Sequence, residues 1–205
     1  MIAIQIKDPA QYNAKDRPTI IKAARGIEAR LNDLDPTEQT EALSRVERAL
    51  AIRTPDESHV DLIDALTGGR IYTPMEVVEL ETRVLTASFA RRRELLKDAI
   101  TAPKVAKLLG TSRQTPHDRV ESGTLLGVRD HGAWYFPLWQ FDAEGPDGVI
   151  AGLPDVIKAL NVSALGKVSW LTRAHRQLDG KSPLDALKCG EIERVVELAA
   201  AVGVN

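Results

Sequence analysis

At 205 residues the chain is long enough for one large domain or two modest ones with a real core, and its 43% hydrophobic and 27% charged residues are those of an ordinary soluble protein. No apolar run approaches the ~20 residues that span a bilayer, and the start MIAIQIKDPA lacks the charged-then-apolar layout of a secretory signal. The single cysteine, Cys189, has no partner for an internal disulfide, so a cytoplasmic protein without membrane contact is expected.

The net charge of −2 is unevenly spread: residues 1–90 carry 11 basic and 15 acidic side chains, residues 91–141 carry 9 and 5, and residues 147–203 carry 7 of each. A basic segment inside an acidic chain suggests a surface that faces phosphates.

In chain order, Ile2, Ile4 and Ile6 alternate like a short strand. From Pro18 the spacing turns helical, with Ile20, Ala24, Ile27, Leu31 and Leu34 on one stripe. Three helix starts then repeat one design: Asp35-Pro36-Thr37-Glu38, Thr54-Pro55-Asp56-Glu57 and Thr73-Pro74-Met75-Glu76. Each offers a capping side chain, a proline where the missing amide is harmless, and a glutamate two residues on. The first helix is expected to bury Leu43, Val46 and Leu50. The second should bury Val60, Ile63 and Leu66 and stop at Gly68-Gly69.

The third helix is long, from Pro74 to about Asp98. Val78, Leu85, Phe89 and Leu96 lie near one seam, with Val77, Leu80 and Val84 beside it. So wide a stripe packs within the chain or against a second copy, and a homodimer is expected.

Residues 100–141 are the most informative stretch. A helix over 102–109 presents Val105, Leu108 and Leu109, and Gly110 supplies its stop. Ser112 is placed to cap a second helix over 113–122, which ends at Gly123. Two helices joined around a glycine make the helix-turn-helix signature, whose second helix enters the major groove. Residues 125–129, a turn at Asp130-His131-Gly132, and Trp134-Tyr135-Phe136 read as a hairpin wing. Five of the nine aromatic residues fall here, and they are assigned mainly to a small core beneath the wing.

Ala106-Lys107-Leu108-Leu109-Gly110, Ser112-Arg113-Gln114-Thr115, Ser122-Gly123, Leu125-Leu126, Val128-Arg129-Asp130, Gly132, Trp134, Phe136-Pro137 and Trp139-Gln140-Phe141 together resemble the winged helix-turn-helix of the excisionase/MerR type. The resemblance implies binding of double-stranded operator DNA. On that reading Arg113 and Gln114, in the first turn of the recognition helix, contact bases. Thr115, His117 and Arg119 follow on the same helix, with Ser112 at its start, while Lys104, Lys107 and Arg129 serve phosphates. Pro116 departs from the pattern: at the fourth helical position it removes an amide, and a distorted helix start is expected.

Residues 142–148 (DAEGPDG) read as a linker. Beyond it Leu153, Val156, Ile157 and Leu160 outline one helix, and Val168, Trp170, Leu171 and Leu178 another. Ser182-Pro183 with Asp185 starts a third, and residues 191–202 close the chain. Trp170-Leu171, Leu178, Gly180, Pro183-Leu184, Leu187, Gly190-Glu191 and Val195 resemble the toxin-binding domain of Xre/MbcA/ParS-type antitoxins. This implies docking on a cognate toxin, often a RES-type enzyme that consumes NAD. The partner-facing set is then Trp170, Leu171, Leu178, Gly180, Lys181, Ser182, Pro183, Leu184 and Leu187, with Lys181 and Ser182 exposed at the apex of a bend.

The four histidines stand far apart, with no zinc spacing, no HExxH, no phosphate-binding glycine loop after a strand and no GxSxG. No metal, cofactor or catalysis is expected. The predicted fold is mainly α: a helical N-terminal region (1–98), a winged helix-turn-helix with a small β-hairpin (99–141), a linker (142–148) and a C-terminal helical domain (149–205). The function expected is that of an antitoxin and DNA-binding repressor of its own operon. The alternative is a stand-alone regulator or excisionase-like protein whose last domain only dimerises.

Overall fold

The computed structural model describes Ala3 and residues 17–51 and 74–202. The strand expected at Ile2–Ile6 and the helix expected from Pro55, with Val60, Ile63, Leu66 and Gly68-Gly69, lie outside the described residues. The chain forms two compact units, one up to Arg91 and one from Arg92.

In the first unit, α1 (Arg17–Asn32) buries Ala24, Ile27 and Leu31, and Leu34 follows them inward, which is the expected stripe. α2 (Pro36–Ala51) starts as its sequence requires: Asp35 Oδ1 accepts the Thr37 and Glu38 amides at 2.8 and 3.0 Å. Its inner face differs from expectation. Glu38 and Ala42 are buried and Val46 is packed beside them, whereas Leu43 is exposed. Leu43 stands about 100° around the helix from Ala42, and a row at steps of four (38, 42, 46) faces the core. The Leu50 side chain lies outside the described residues.

α3 (Pro74–Leu96) presents Val78, Thr82, Leu85 and Phe89 inward at steps of four, three and four. The Thr82 hydroxyl donates to the Val78 carbonyl at 2.7 Å, so its burial leaves no unmet donor. Leu80 and Val84 do not join that seam; they are 40% and 64% exposed.

The second unit is built on three strands, β1 (Ala99–Thr101), β2 (Val128–Asp130) and β3 (Ala133–Pro137), in the antiparallel order β1-β3-β2. Arg129 faces Trp134 across the hairpin, and Ile100 faces Phe136 on the other side. The hairpin reverses at His131 and Gly132, both with positive φ (45° and 79°), the mirror-image turn that matches strand twist. The expected wing is therefore the edge strand β2 and the central strand β3 of a three-stranded sheet. Leu125 and Leu126, read as strand, precede it and are buried.

Next come the short helices α4 (Ala102–Leu108), α5 (Thr115–Glu121), α6 (Leu153–Ala159), α7 (Ala164–Thr172), α8 (Pro183–Lys188) and α9 (Ile192–Ala200). The fold is mainly helical with one small antiparallel sheet. No described helix is long and apolar enough to cross a membrane.

Residues 142–148 do not separate two bodies. Phe141 bridges Val149, the Ile150 amide donates to Gln140 O at 3.0 Å, and the Asp142 amide to Gly148 O at 3.1 Å. Leu126 and Val128 from the wing side share one core with Leu153, Val156, Trp170, Leu171 and Leu187. Of the strand residues only Val128 belongs to this core; Phe136, with Ile100 and Trp134, packs with Ala102, Val105, Leu125 and Val149 in a separate small core beneath the sheet.

Leu178 is not on the helix of Trp170. α7 ends at Thr172, and Leu178 sits on a separate 3-10 turn, Arg176–Leu178. The reversal is held by the His175 amide on Lys181 O and the Gly180 amide on His175 O, both at 3.0 Å.

Candidate nucleic-acid interface

α4 buries Ala102, Val105 and Ala106, which leaves Lys104 and Lys107 outward. It closes on Gly110 at φ 63°, a left-handed residue that only glycine adopts without steric cost. The Thr111 amide reaches back to Ala106 O at 2.9 Å and the Gly110 amide to Lys107 O at 3.4 Å, the paired bonds of a Schellman stop. α5 ends the same way: Gly123 has φ 69°, with Thr124 N on Arg119 O at 2.8 Å and Gly123 N on Val120 O at 3.1 Å.

The start of α5 corrects the sequence reading. The helix begins at Thr115 rather than Arg113, with Gln114 at the capping position. Pro116 thus falls at the second helical residue, where its missing amide would have had no intrahelical partner. His117 N and Asp118 N both bond Gln114 O, at 2.9 and 3.2 Å, so the start is regular and not distorted. Ser112 stays outside the helix; its Oγ lies 3.0 Å from Thr115 Oγ1 and accepts the Thr115 amide at 3.4 Å.

The expected DNA-facing residues divide into two groups. Lys104, Lys107, Arg113 and Arg129 are exposed and carry no ion pair among the described residues. Ser112 and Gln114 are exposed too, although the Gln114 amide donates to Asp118 Oδ1 at 3.0 Å. Thr115 and His117 are half-buried, and the His117 ring meets the Trp134 ring edge-on at 6.1 Å.

Arg119 is committed elsewhere. Its guanidinium donates to Asp147 O at 2.9 Å and to Thr124 Oγ1 at 3.4 Å, which ties α5 to the turn at Pro146–Gly148. Two further basic side chains of residues 91–141 are likewise paired: Arg92 meets Asp130 at 3.2 Å and Lys97 meets Glu94 at 2.7 Å.

Two residues outside the expected DNA-facing set position this surface. Gln140 is fully buried and completes the backbone ahead of β2: its Oε1 accepts the Leu126 amide at 2.8 Å, and its Nε2 donates to the Leu126 and Pro137 carbonyls at 3.0 Å each. Gly127 is buried under Trp134 and Val120; a methyl group there would stand 2.7 Å from Val120 Cγ2 and 3.0 Å from Trp134 Cε3. A polar residue amid the aromatics of Trp139-Gln140-Phe141 was the available signal for the first. Nothing local marked the second.

The expected partner-facing set is mostly interior. Trp170, Leu171, Leu178, Ser182, Pro183, Leu184 and Leu187 are buried, and only Gly180 and Lys181 are exposed. Ser182, expected at the exposed apex, instead caps α8: its Oγ accepts the Asp185 amide at 3.1 Å and its hydroxyl donates to the Asp185 carboxylate. Lys181 bonds Glu191 at 2.6 Å, and Arg194 holds both Asp179 (3.0 Å) and Glu191 (2.9 Å). Hydrogen bonds from Lys181 and Arg194 pull the Glu191 carboxyl below its ordinary value, and the bond to Glu191 raises the Lys181 ammonium. Beneath them the His175 ring lies 5.0 Å from that of Trp170.

Helix, turn, helix and hairpin in this order make a winged helix-turn-helix, here continuous with a helical C-terminal part. No protein-family model matches the chain, and no curated protein does. Among solved structures, the NMR structure of Rv2175c aligns at 25% identity over 52% of this chain and 81% of its own, with a TM-score of 0.44. The superposition is too loose to establish a shared fold.

Proposed function

We propose that this chain is a cytoplasmic DNA-binding transcriptional regulator of the autoregulating antitoxin kind, which takes double-stranded operator DNA on its winged module and a toxin on its C-terminal helices, without catalysis or cofactor. One observation carries the DNA half: exposed Arg113 and Gln114 sit at the entry to a recognition helix whose Pro116 is buried and whose Val120 packs on the module's core, flanked by exposed Lys104, Lys107 and Arg129. Arg and Gln at that place suit guanine and adenine edges, and the flanking cations suit phosphates. Arg113→Ala or Gln114→Ala is expected to weaken binding to the DNA upstream of the gene by ~1–3 kcal/mol and relax specificity, whereas Arg129→Ala weakens all sequences alike. Unchanged promoter binding by the Arg113/Gln114 double variant would remove the assignment.

The toxin half rests on the C-terminal resemblance, with exposed Gly180 and Lys181 as its contact edge. A stand-alone regulator is the second reading, favoured because seven of the nine expected toxin-facing residues are buried, five of them in the core. Neutralisation of a toxin encoded beside this gene separates the two. Two-fold DNA sites call for a homodimer, and the exposed Leu80 and Val84 on α3 offer it a surface.

A further inference from the structure

Past the winged module, residues 156–178 contain Lys158, Lys167, Arg173 and Arg176 and no acidic side chain. Lys167 is occupied: its ammonium donates to the Ile157 carbonyl at the end of α6, and burial holds it below its ordinary value. Lys158 is placed differently. It is exposed on α6, has no ion pair among the described residues, and lays its aliphatic stem across Gly123, the residue that closes α5. A methyl group on Gly123 would stand 3.2 Å from Lys158 Cγ and 3.6 Å from Cε.

The length of α5 gives this placement its meaning. Its seven residues make a helix about 10 Å long at ~1.5 Å per residue, shorter than the ~12 Å width of the major groove. When the first turn of so short a helix meets base edges, its last turn is still beside the groove wall. A cation lying over that end therefore stands at the phosphates. Lys158 is not needed to satisfy the helix end, because the Asp118, Arg119 and Val120 carbonyls already accept amides from Ser122, Thr124 with Leu125, and Gly123.

We propose that the DNA-binding surface continues beyond the winged module onto α6, where Lys158 neutralises a backbone phosphate next to the major groove. The proposal rests on the DNA-binding reading above. Its test is fluorescence anisotropy of the full chain on a labelled 24-base-pair duplex of mixed sequence, titrated across KCl concentrations. Each phosphate neutralised adds about 0.9 to the steepness of log K against log salt, so Lys158→Gln should flatten the slope by ~0.9 and the wild-type advantage should shrink about 3.5-fold between 50 and 200 mM salt. Lys158→Glu should bind more weakly still, with tryptophan melting curves unchanged. Lys188→Gln, an exposed lysine on α8, should behave as wild type. A wild-type slope in Lys158→Gln, alongside weakened binding by Arg129→Ala, would end the surface at the winged module and leave the DNA reading intact. Failure of the wild type to bind the duplex at low salt would overturn both.

Discussion

Replacing Gln140 by leucine removes the amide that completes the backbone ahead of the wing while roughly keeping the volume. The buried Leu126 N–H then loses its acceptor, which costs ~1–3 kcal/mol, and the Leu126 and Pro137 carbonyls lose donated bonds of ~1 kcal/mol each. A total of about 3–4 kcal/mol follows, because leucine recovers part of it through apolar contact. For a unit of this size that lowers the melting temperature by roughly 10–15 °C.

All three tryptophans, Trp134, Trp139 and Trp170, lie in the second unit, so tryptophan fluorescence follows that unit alone. Gln140→Glu adds a control with a sign. The carboxylate still accepts from Leu126 but faces two carbonyl oxygens, so burial raises its folded pKa. Its penalty is absent below the unfolded value of about 4.3 and grows as pH rises above it. A Gln140→Leu melting curve within 1 °C of wild type, or a Gln140→Glu penalty that does not grow from pH 4 to pH 7, would show that the amide holds nothing.

Gly127→Ala forces a methyl group into Val120 and Trp134, and a loss of ~1–3 kcal/mol in urea denaturation is expected; an unchanged midpoint would mean that α5 and β3 are not clamped there. The Glu191 network makes stability depend on pH: its contribution is present above the ordinary carboxyl value of 4.5 and is lost as pH falls through the lower folded value. The melting-temperature gap between wild type and Glu191→Gln should accordingly be open at pH 7 and close in acid, and a gap independent of pH refutes the pairing. Light scattering should give about twice 22.4 kDa for the wild type and a smaller species for Leu80→Glu/Val84→Glu, whereas a 22.4 kDa wild type removes the dimer.

Local chemistry was legible in the chain wherever one residue and its near neighbours decide the outcome. The Asp35-Pro36 and Ser182-Pro183 starts and the Gly110 and Gly123 stops are written in side chains that act within a few residues. The turn at His131-Gly132 and the stripe from Ala24 to Leu34 are equally local. The choice among competing local signals was not. Ser112, Arg113 and Pro116 all bid for the start of α5, and the register that costs no amide placed it at Thr115.

Burial depends on what lies opposite, so Leu43 and Val84 fell outside while Glu38 and Thr82 fell inside. β1 has no periodicity of its own and forms because β3 has an open edge. The same holds for the candidate site. Arg113 and Gln114 could be picked by residue type and position, but the diversion of Arg119 to Asp147 required knowing that residues 142–148 fold back. Seven of the nine residues assigned to a partner are buried, five of them in the core that the C-terminal helices share with Leu126 and Val128, and only the packing of those helices on one another decided it.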